Sequence, residues 1–300
     1  MEICYHPYEF MATGGAIGDA LFFFCSGFTI LLGGNSSFGN YYKKRIRRIY
    51  PTVFVVAIIT ELFFMKHHDL WRLFVFGGGW FVTCIMIYYI PLYYIKRYGI
   101  NYLWSILAFT FILSIAWYYL FFDNQGKFYM YYRNYYKWEF NFIFMLLGGI
   151  IGRFHQEIRK ASWKDFFMLL SYILAWYAVP LLSVKYKFLI EIQYITLFPL
   201  AGCCFYFYKI CTYDFWRKLY NGKITGQVLF VVGSVCLEAY LLQENFFTDK
   251  LNWLFPLNIP IIMLYVLIVS VIVKILSNVF MQTFQESDYD WKKCLPIKNH

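Results

Sequence analysis

Charged side chains are scarce in this chain. Only 15% of its 300 residues are Asp, Glu, Lys or Arg, whereas soluble domains carry roughly 25%. The sequence also lacks a CxxC pair, an internal repeat, a long linker and any low-complexity segment. Most of its cysteines lie inside apolar runs, where a thiol acts as a small hydrophobe. These absences argue against a soluble protein, a bound metal and a multidomain architecture.

Apolar residues are abundant instead, at 61% of the chain, and 24% are aromatic. A helix that crosses a bilayer needs about 20 mostly apolar residues. Apolar segments of approximately this kind lie near residues 16–33, 51–65, 80–95, 100–122, 140–152, 166–184, 188–208, 227–246 and 256–280. The sequence therefore predicts an all-α, polytopic integral membrane helical bundle with about nine to ten transmembrane helices. We expect residues 1–300 to form a single membrane-embedded domain.

The basic residues predict the orientation of this bundle. The net charge is +10, and the Lys and Arg side chains lie between the apolar segments, not along one soluble face. Nucleic acid is therefore not an expected partner; membrane lipids are. If loop 34–50 faces the cytoplasm, most of the 27 basic residues fall on that side, as the positive-inside rule requires. Residues 281–300 then form a polar cytoplasmic tail, which we expect to be frayed from Gln285 onward.

Three motifs occur in a fixed order along the chain. They are Gly18-Asp19-Ala20-Leu21-Phe22-Phe23-Phe24-Cys25-Ser26-Gly27-Phe28, Tyr42-Lys43-Lys44-Arg45-Ile46-Arg47-Arg48-Ile49-Tyr50-Pro51 and Cys236-Leu237-Glu238-Ala239-Tyr240-Leu241-Leu242-Gln243. In this order the chain resembles the membrane acyltransferase-3 family, with its G-x-x-L-F-F-x-x-S-G-F helix, R-x-x-R-I-Y-P loop and late S-x-E-x-Y-L segment. The resemblance covers nearly the whole chain.

The resemblance implies an acyl-CoA-dependent O-acyltransferase in a multi-pass bundle of about ten helices. The acyl group is most often acetyl from acetyl-CoA, and the acceptor is a hydroxyl of a cell-surface or exported saccharide. The donor is then acetyl-CoA or another acyl-CoA, and no metal takes part. The family and the basic-residue pattern together place the chain in a bacterial inner membrane with its C-terminus in the cytoplasm. Neither the particular saccharide nor any protein partner follows from the resemblance.

Three residues match the functional positions of that family. His6 occupies the place of the family histidine, whose imidazole takes a proton from an attacking hydroxyl. Arg45 and Arg48 match the R-x-x-R pair, and their spacing puts both guanidinium groups on one helical face. Guanidinium groups bind phosphate oxygens in bidentate fashion, and CoA carries several phosphates. The alternative for the arginines is a simple positive-inside anchor.

Asp19, Ser26 and Glu238 are further candidates, because they lie within the family-like motifs. Carboxylates inside a membrane are costly and usually face a cavity or a partner. A polar cavity near Asp19 and Glu238 is therefore one interpretation, and a structural pair with a Tyr, a Lys or each other is the alternative. Ser26 precedes a glycine, and close helix packing is its expected role.

The sequence departs from the family pattern at its start. Residues 1–6 resemble the end of an apolar segment, which we interpret as the remnant of a first helix. The family's basic partner of the histidine would lie eleven positions before His6, and hence before Met1. Two other functions therefore stay open beside acyl transfer. One is a truncated, inactive relative, and the other is a transporter or flippase for a polar or lipid-linked solute.

Overall fold

The computed structural model describes residues 15–65, 69–76, 79–120, 130–131, 136–158, 160–186, 188–246, 248–285 and 288–297. Across these residues the chain is helical and has no strand, so the predicted all-α class is confirmed. The helices are α1 (Gly15–Leu32), α2 (Phe38–Phe64), α3 (Leu70–Phe76), α4 (Trp80–Tyr94), α5 (Leu103–Leu120), α6 (Lys137–Arg153), α7 (Trp163–Lys185), α8 (Phe188–Glu191), α9 (Leu197–Cys211), α10 (Asp214–Asn221), α11 (Lys223–Ser234), α12 (Cys236–Leu242), α13 (Asn258–Gln282) and α14 (Trp291–Cys294).

Five stretches of helix are long and apolar enough to cross a membrane. They are Gly15–Leu32, Trp80–Leu120, Trp163–Ser183, Gln193–Cys211 and Asn258–Gln282. A sixth results if Lys223–Ser234 and Cys236–Asn245, which meet at an angle of 48°, form one broken span. The described residues thus show a membrane protein with five or six candidate spans, and the expected nine to ten are not confirmed.

Length and charge explain part of the difference. Helix α2 has 27 residues, but its first half contains five basic side chains, which lower its mean hydropathy. Helix α6 has 17 residues, which is at the short end of the range for a span, and it contains Lys137, Glu139 and Arg153. Both helices match predicted spans in position, 51–65 and 140–152. The apolar part of each helix is therefore too short, by itself, to qualify as a candidate span.

The long stretch Trp80–Leu120 reverses direction near its middle. The first turn of α6 contacts it twice, because Tyr88 donates a hydrogen bond to the carbonyl of Trp138 and Tyr136 pairs with Ser114. Arg153, at the opposite end of α6, donates to the carbonyl of Ile100. Tyr88 and Ser114 therefore lie at one end of α6, and the π-helical turn Ile95–Gly99 lies near the other. This geometry favours two passes, as the segments 80–95 and 100–122 predicted.

Contacts between helices divide the chain into two compact units, each made of two chain segments. The first unit comprises Met1–Ser36 and Tyr88–Asp214, and the second comprises Ser37–Ile87 and Phe215–His300. Helix α4 thus begins in the second unit and ends in the first. The single membrane-embedded domain stays a prediction.

Glycines bring α1 and α6 into close contact in the first unit. A Cβ atom placed on Gly27 would lie 1.8 Å from the carbonyl oxygen of Met145, and one on Gly148 would lie 1.9 Å from that of Phe24. Only glycine fits at both positions, so the two backbones touch along this crossing. The C-terminal end of α1 is also fixed, because the Lys96 ammonium donates to the carbonyls of Ile30, Gly33 and Gly34. These contacts hold the helix that carries Asp19 and Ser26.

The second unit packs α2, α12 and α13 around a small apolar core of Val55, Val56, Leu242 and Val273. The C-terminal segment is attached to this unit. Asn278 donates to the carbonyl of Cys294, Gln282 exchanges hydrogen bonds with the Asp290 backbone, and Gln227 donates to the carbonyl of Pro296. Cys294 is buried. The expectation of a frayed tail is therefore wrong for residues 288–297, because amide side chains on α11 and α13 bind its backbone.

Candidate functional site

Arg45 and Arg48 lie in the polar first half of α2, on the same side of the helix. Arg48 is exposed, and Arg45 is half-buried with its guanidinium carbon 5.2 Å from the ring centre of Tyr41. A guanidinium is attracted to the face of an aromatic ring, so Tyr41 restrains Arg45. The structure thus holds the predicted pair one helical turn apart, with one member oriented and the other open to solvent.

Tyr42 fixes the same half of α2 against α4. Its hydroxyl donates a hydrogen bond to the carbonyl of Met86, with an oxygen–oxygen distance of 3.3 Å. Burial raises the pKa of Tyr42 above its ordinary value, in line with its position against α4. Tyr42 therefore holds the segment of α2 that carries Arg45 and Arg48 against α4.

Glu238 is fully buried in the first turn of α12. Its Oε1 atom accepts a hydrogen bond of 2.9 Å from Thr52 on α2. The same oxygen forms an ion pair of 3.1 Å with the Lys274 ammonium on α13. Its Oε2 atom has no hydrogen-bond partner among the described residues. Of the alternatives that the sequence leaves open for Glu238, the structure shows a pair with a lysine, and one acceptor oxygen remains available.

One face of α2 joins these groups. Arg45, Arg48 and Thr52 occupy positions i, i+3 and i+7, which fall on the same side of an α-helix. Four residues separate Arg48 from Thr52, a rise of about 6 Å along the helix axis. The basic pair at the polar end of α2 is therefore followed, one turn further into the apolar half, by the hydroxyl that binds Glu238.

Lys274 is the functional side chain that sequence reasoning missed. Lys274 falls inside the predicted segment 256–280, and α13, which continues to Gln282, places it inside a candidate span. Its side chain is only 24% exposed. The signal was available, because Lys274 is the single charged residue in the apolar sequence of α13. An ionisable residue in a membrane span normally has a partner or a function.

Ser26 and Asp19 lie on α1, in the first unit. The hydroxyl groups of Ser26 and Tyr89 are 3.2 Å apart and share a hydrogen bond, and Tyr89 is buried. The adjacent Gly27, not Ser26, provides the close contact with α6. Asp19 is half-buried. The structure thus places these two candidates in a different unit from Arg45, Arg48 and Glu238.

His6 lies outside the described residues, so its predicted role is not tested. No three or more His, Cys, Asp or Glu side chains come close enough to hold a metal ion anywhere in the described part of the chain. The candidate site in the second unit consists of two guanidinium groups, a hydroxyl and a buried carboxylate paired with an ammonium. Such a set suits the binding of an anion and of hydroxyl groups.

A polar cluster in the first unit was also not predicted. Ser114 and Tyr136 share a hydrogen bond of 3.0 Å, and Tyr131 and Thr196 share one of 2.6 Å. Glu139 follows Tyr136 by one helical turn, and its Oε2 atom has no partner in the described residues. Tyr136 is 2% exposed, so it belongs to the interior of the unit and not to an interfacial aromatic belt.

Comparison with known families assigns the chain as a whole. Residues 5–275 match the acyltransferase-3 family, whose description is "Acyltransferase domain". No curated protein and no solved structure matches the chain in the corresponding searches. The match covers most of the 300 residues and includes all three motifs, the arginine pair and Glu238. The chain therefore belongs to the membrane acyltransferase-3 family, and its general activity is acyl transfer.

Proposed function

We propose that this protein transfers an acyl group, most directly acetyl from acetyl-CoA, to a hydroxyl group of a cell-surface or exported saccharide. The observation that supports it is the face of α2 that carries Arg45, Arg48 and Thr52. On that face, two arginines that suit phosphate groups are followed, one turn later, by the hydroxyl that binds the buried Glu238, within a family of acyltransferases. The proposed location is a bacterial inner membrane, with the arginine pair and the C-terminus on the cytoplasmic side.

The arginine pair suits the phosphates of CoA. Two guanidinium groups one turn apart offer bidentate donors to phosphate oxygens, and Arg48 is open to solvent. Arg45 already lies over Tyr41, so less side-chain entropy is lost when it binds. Because acyl-CoA is made in the cytoplasm, this end of α2 is where the donor would enter.

His6 is the proposed general base for the transfer. Its imidazole would take the proton of the acceptor hydroxyl while the oxygen attacks the thioester carbonyl. The new carbon–oxygen bond forms, the carbon–sulfur bond breaks, and the CoA thiolate takes the proton back from the imidazolium. Asp19, Ser26 and Glu238 are proposed as supporting residues: each lies in a family-like motif, and Ser26 and Glu238 are hydrogen-bonded in the interior.

Binding of CoA to the purified full-length protein tests the role of the arginines. We expect Arg45→Gln and Arg48→Gln each to weaken CoA binding by about tenfold or more, because hydrogen bonds between charged groups contribute about 1.5–3 kcal/mol. The measurement is a calorimetric titration in detergent with CoA and with pantetheine, which has the same thiol but no phosphate.

Lys43→Gln is the matched control, because Lys43 lies on the opposite side of α2 from Arg45. It should leave CoA binding within about twofold of the wild type, and the arginine variants should bind pantetheine as the wild type does. Equal losses in all three variants would indicate general electrostatic attraction. Unchanged CoA binding in both arginine variants would contradict the proposed donor site.

A transporter or flippase is the second candidate, because the Glu238–Lys274 pair lies inside a candidate span. Ionisable pairs within a membrane are typical of proton or substrate pathways. Solute uptake into vesicles that follows a proton gradient and needs no acyl-CoA would favour this candidate. Uptake that is absent in the same vesicles would leave acyl transfer as the function.

A further inference from the structure

A groove opens on the other face of α2, away from the arginine pair. It has a volume of about 470 Å³ and lies entirely in the second unit. Its α2 wall is formed by Ile46 and by Arg47, Tyr50, Pro51 and Phe54, and the last four occupy positions i, i+3, i+4 and i+7 of one helical stripe. This volume is in the ordinary range for small-molecule sites, which measure about 300–1,000 Å³.

The groove is lined mainly by apolar side chains. Phe54 lies 5.1 Å from Phe74 and 6.5 Å from Phe280, measured between ring centres. Tyr50 connects α2 to α3 by donating a hydrogen bond of 2.8 Å to the carbonyl of Phe74. Phe284 extends along the rim and is 72% exposed. The three aromatic rings thus form a floor that would accept a hydrocarbon chain.

The groove also carries a positive charge. Arg47 lines the groove, is exposed, and forms no hydrogen bond or ion pair with any residue that the structure describes. It lies where the basic run Lys43–Arg48 gives way to the apolar half of α2, the junction expected at the surface of a bilayer. No acidic residue occurs in that run. A ligand that fits must therefore combine an anionic head with an apolar chain.

We propose that this groove binds an anionic glycerophospholipid from the adjoining leaflet, with one acyl chain over Phe54 and the phosphate at Arg47. Charge complementarity selects an anionic head, and the position of Arg47 at the polar–apolar junction matches the depth of a lipid phosphate. The acyl chain of the CoA donor fits less well. Arg47 projects about 160° around the helix from Arg45 and about 100° from Arg48, so its side chain lies on a different face from the proposed CoA site.

Native mass spectrometry of the delipidated, full-length protein tests this site. The protein is incubated with phosphatidylglycerol or phosphatidylcholine of identical acyl chains, and retained lipid is counted. We expect the wild type to retain one phosphatidylglycerol in preference to phosphatidylcholine. Arg47→Gln should reduce that preference about tenfold, and Met281→Trp, which fills the groove, should reduce retention of both lipids.

Arg217→Gln is the matched control, since Arg217 is an exposed basic residue of the same unit on α10 and its loss changes the net charge equally. It should retain phosphatidylglycerol as the wild type does. Equal losses for Arg47→Gln and Arg217→Gln would overturn the proposal in favour of general charge attraction. Unchanged retention in Met281→Trp would overturn it in favour of lipid bound elsewhere around the protein.

Two further arms complete the test. Phe284→Trp, at the exposed rim, replaces Met281→Trp if the latter does not run as a single species on size exclusion.

Palmitoyl-CoA and CoA are then added to the lipid-bound wild type. Displacement by palmitoyl-CoA but not by CoA would overturn the lipid assignment and identify the groove as the site of the donor's chain. No displacement by either agrees with a separate lipid site.

Discussion

At the scale of single residues, the central feature is the buried carboxylate of Glu238, which forms an ion pair with Lys274. Glu238 is fully buried, and its Oε1 atom binds Thr52 and Lys274, whereas its Oε2 atom has no partner among the residues that the structure describes. Transfer of an unpaired carboxylate from water to an apolar interior is very unfavourable, and the Lys274 ammonium offsets part of that cost. The pair joins α12 to α13, while Thr52 joins the same carboxylate to α2.

This arrangement predicts unequal effects from removing the two partners. Lys274→Met leaves a buried carboxylate without its counter-charge, which costs about 3–5 kcal/mol. Glu238→Gln keeps the hydrogen bond to Thr52, and the partly exposed lysine can extend towards the membrane surface. We expect Lys274→Met to lower the apparent melting temperature by about 6 °C or more, and Glu238→Gln to lower it by less, measured by fluorescence-detected size exclusion after heating.

The double variant Glu238→Gln/Lys274→Met separates charge from packing. It should be more stable than Lys274→Met alone, because the uncompensated carboxylate is gone. Equal melting temperatures for the double variant and Lys274→Met would contradict the ion-pair account and assign the loss to packing of the lysine stem.

At the scale of helices, the crossing of α1 and α6 fixes the first unit. Gly27 faces the backbone of Met145 and Gly148 faces the backbone of Phe24, so each helix contributes one glycine to the other's closest contact. Small residues at such crossings let two backbones approach within a membrane. The Ser26-Gly27-Phe28 element and the stretch Leu147-Gly148-Gly149-Ile150 therefore owe part of their sequence to this contact.

A methyl group at either glycine should separate the helices. Gly148→Ala and Gly27→Ala each place a Cβ atom within 2 Å of a backbone oxygen, which no side-chain rotation relieves. We expect each to destabilise the protein by about 1–3 kcal/mol or more, as overpacking does. The measurement is the yield and melting temperature of the monodisperse protein in detergent.

Gly18→Ala is the control on the same helix, because nothing lies within 4 Å of a Cβ atom at Gly18. Its melting temperature should equal or slightly exceed that of the wild type, since alanine favours the helix over glycine. A loss at Gly18 as large as at Gly148 would indicate a general intolerance of α1 and not a close crossing.

The helical class and the membrane setting follow directly from composition, because long apolar runs with few charges have no other stable arrangement. Sequence also identified Glu238 as a costly group that needs a partner. It did not identify Lys274 as that partner, although Lys274 falls inside the predicted segment 256–280, because a single sequence does not show which helices pack against each other. The attachment of residues 288–297 to α11 and α13 was not predicted for a similar reason. Hydrogen bonds between amide side chains and the backbone leave no periodic pattern in a sequence.

At the scale of the whole molecule, two compact units are each built from two separate parts of the chain. The arginine pair and Glu238 lie in the second unit, whereas Ser26 and Asp19 lie in the first. Every motif that resembles the acyltransferase-3 family thus lies within one unit or the other, and the family match spans both. We therefore propose that the second unit binds the acyl donor and that acyl transfer requires both units.

Transfer of labelled acetyl groups tests that account most directly. Bacterial membranes containing the full-length protein are supplied with radiolabelled acetyl-CoA, and alkali-labile label is counted in the envelope polysaccharide fraction. We predict label in the wild type and in Lys43→Gln, and a loss of tenfold or more in an Arg45→Gln/Arg48→Gln double variant that is present at equal amount. Equal labelling with and without the arginine pair, or no label above membranes that lack the protein, would contradict the account.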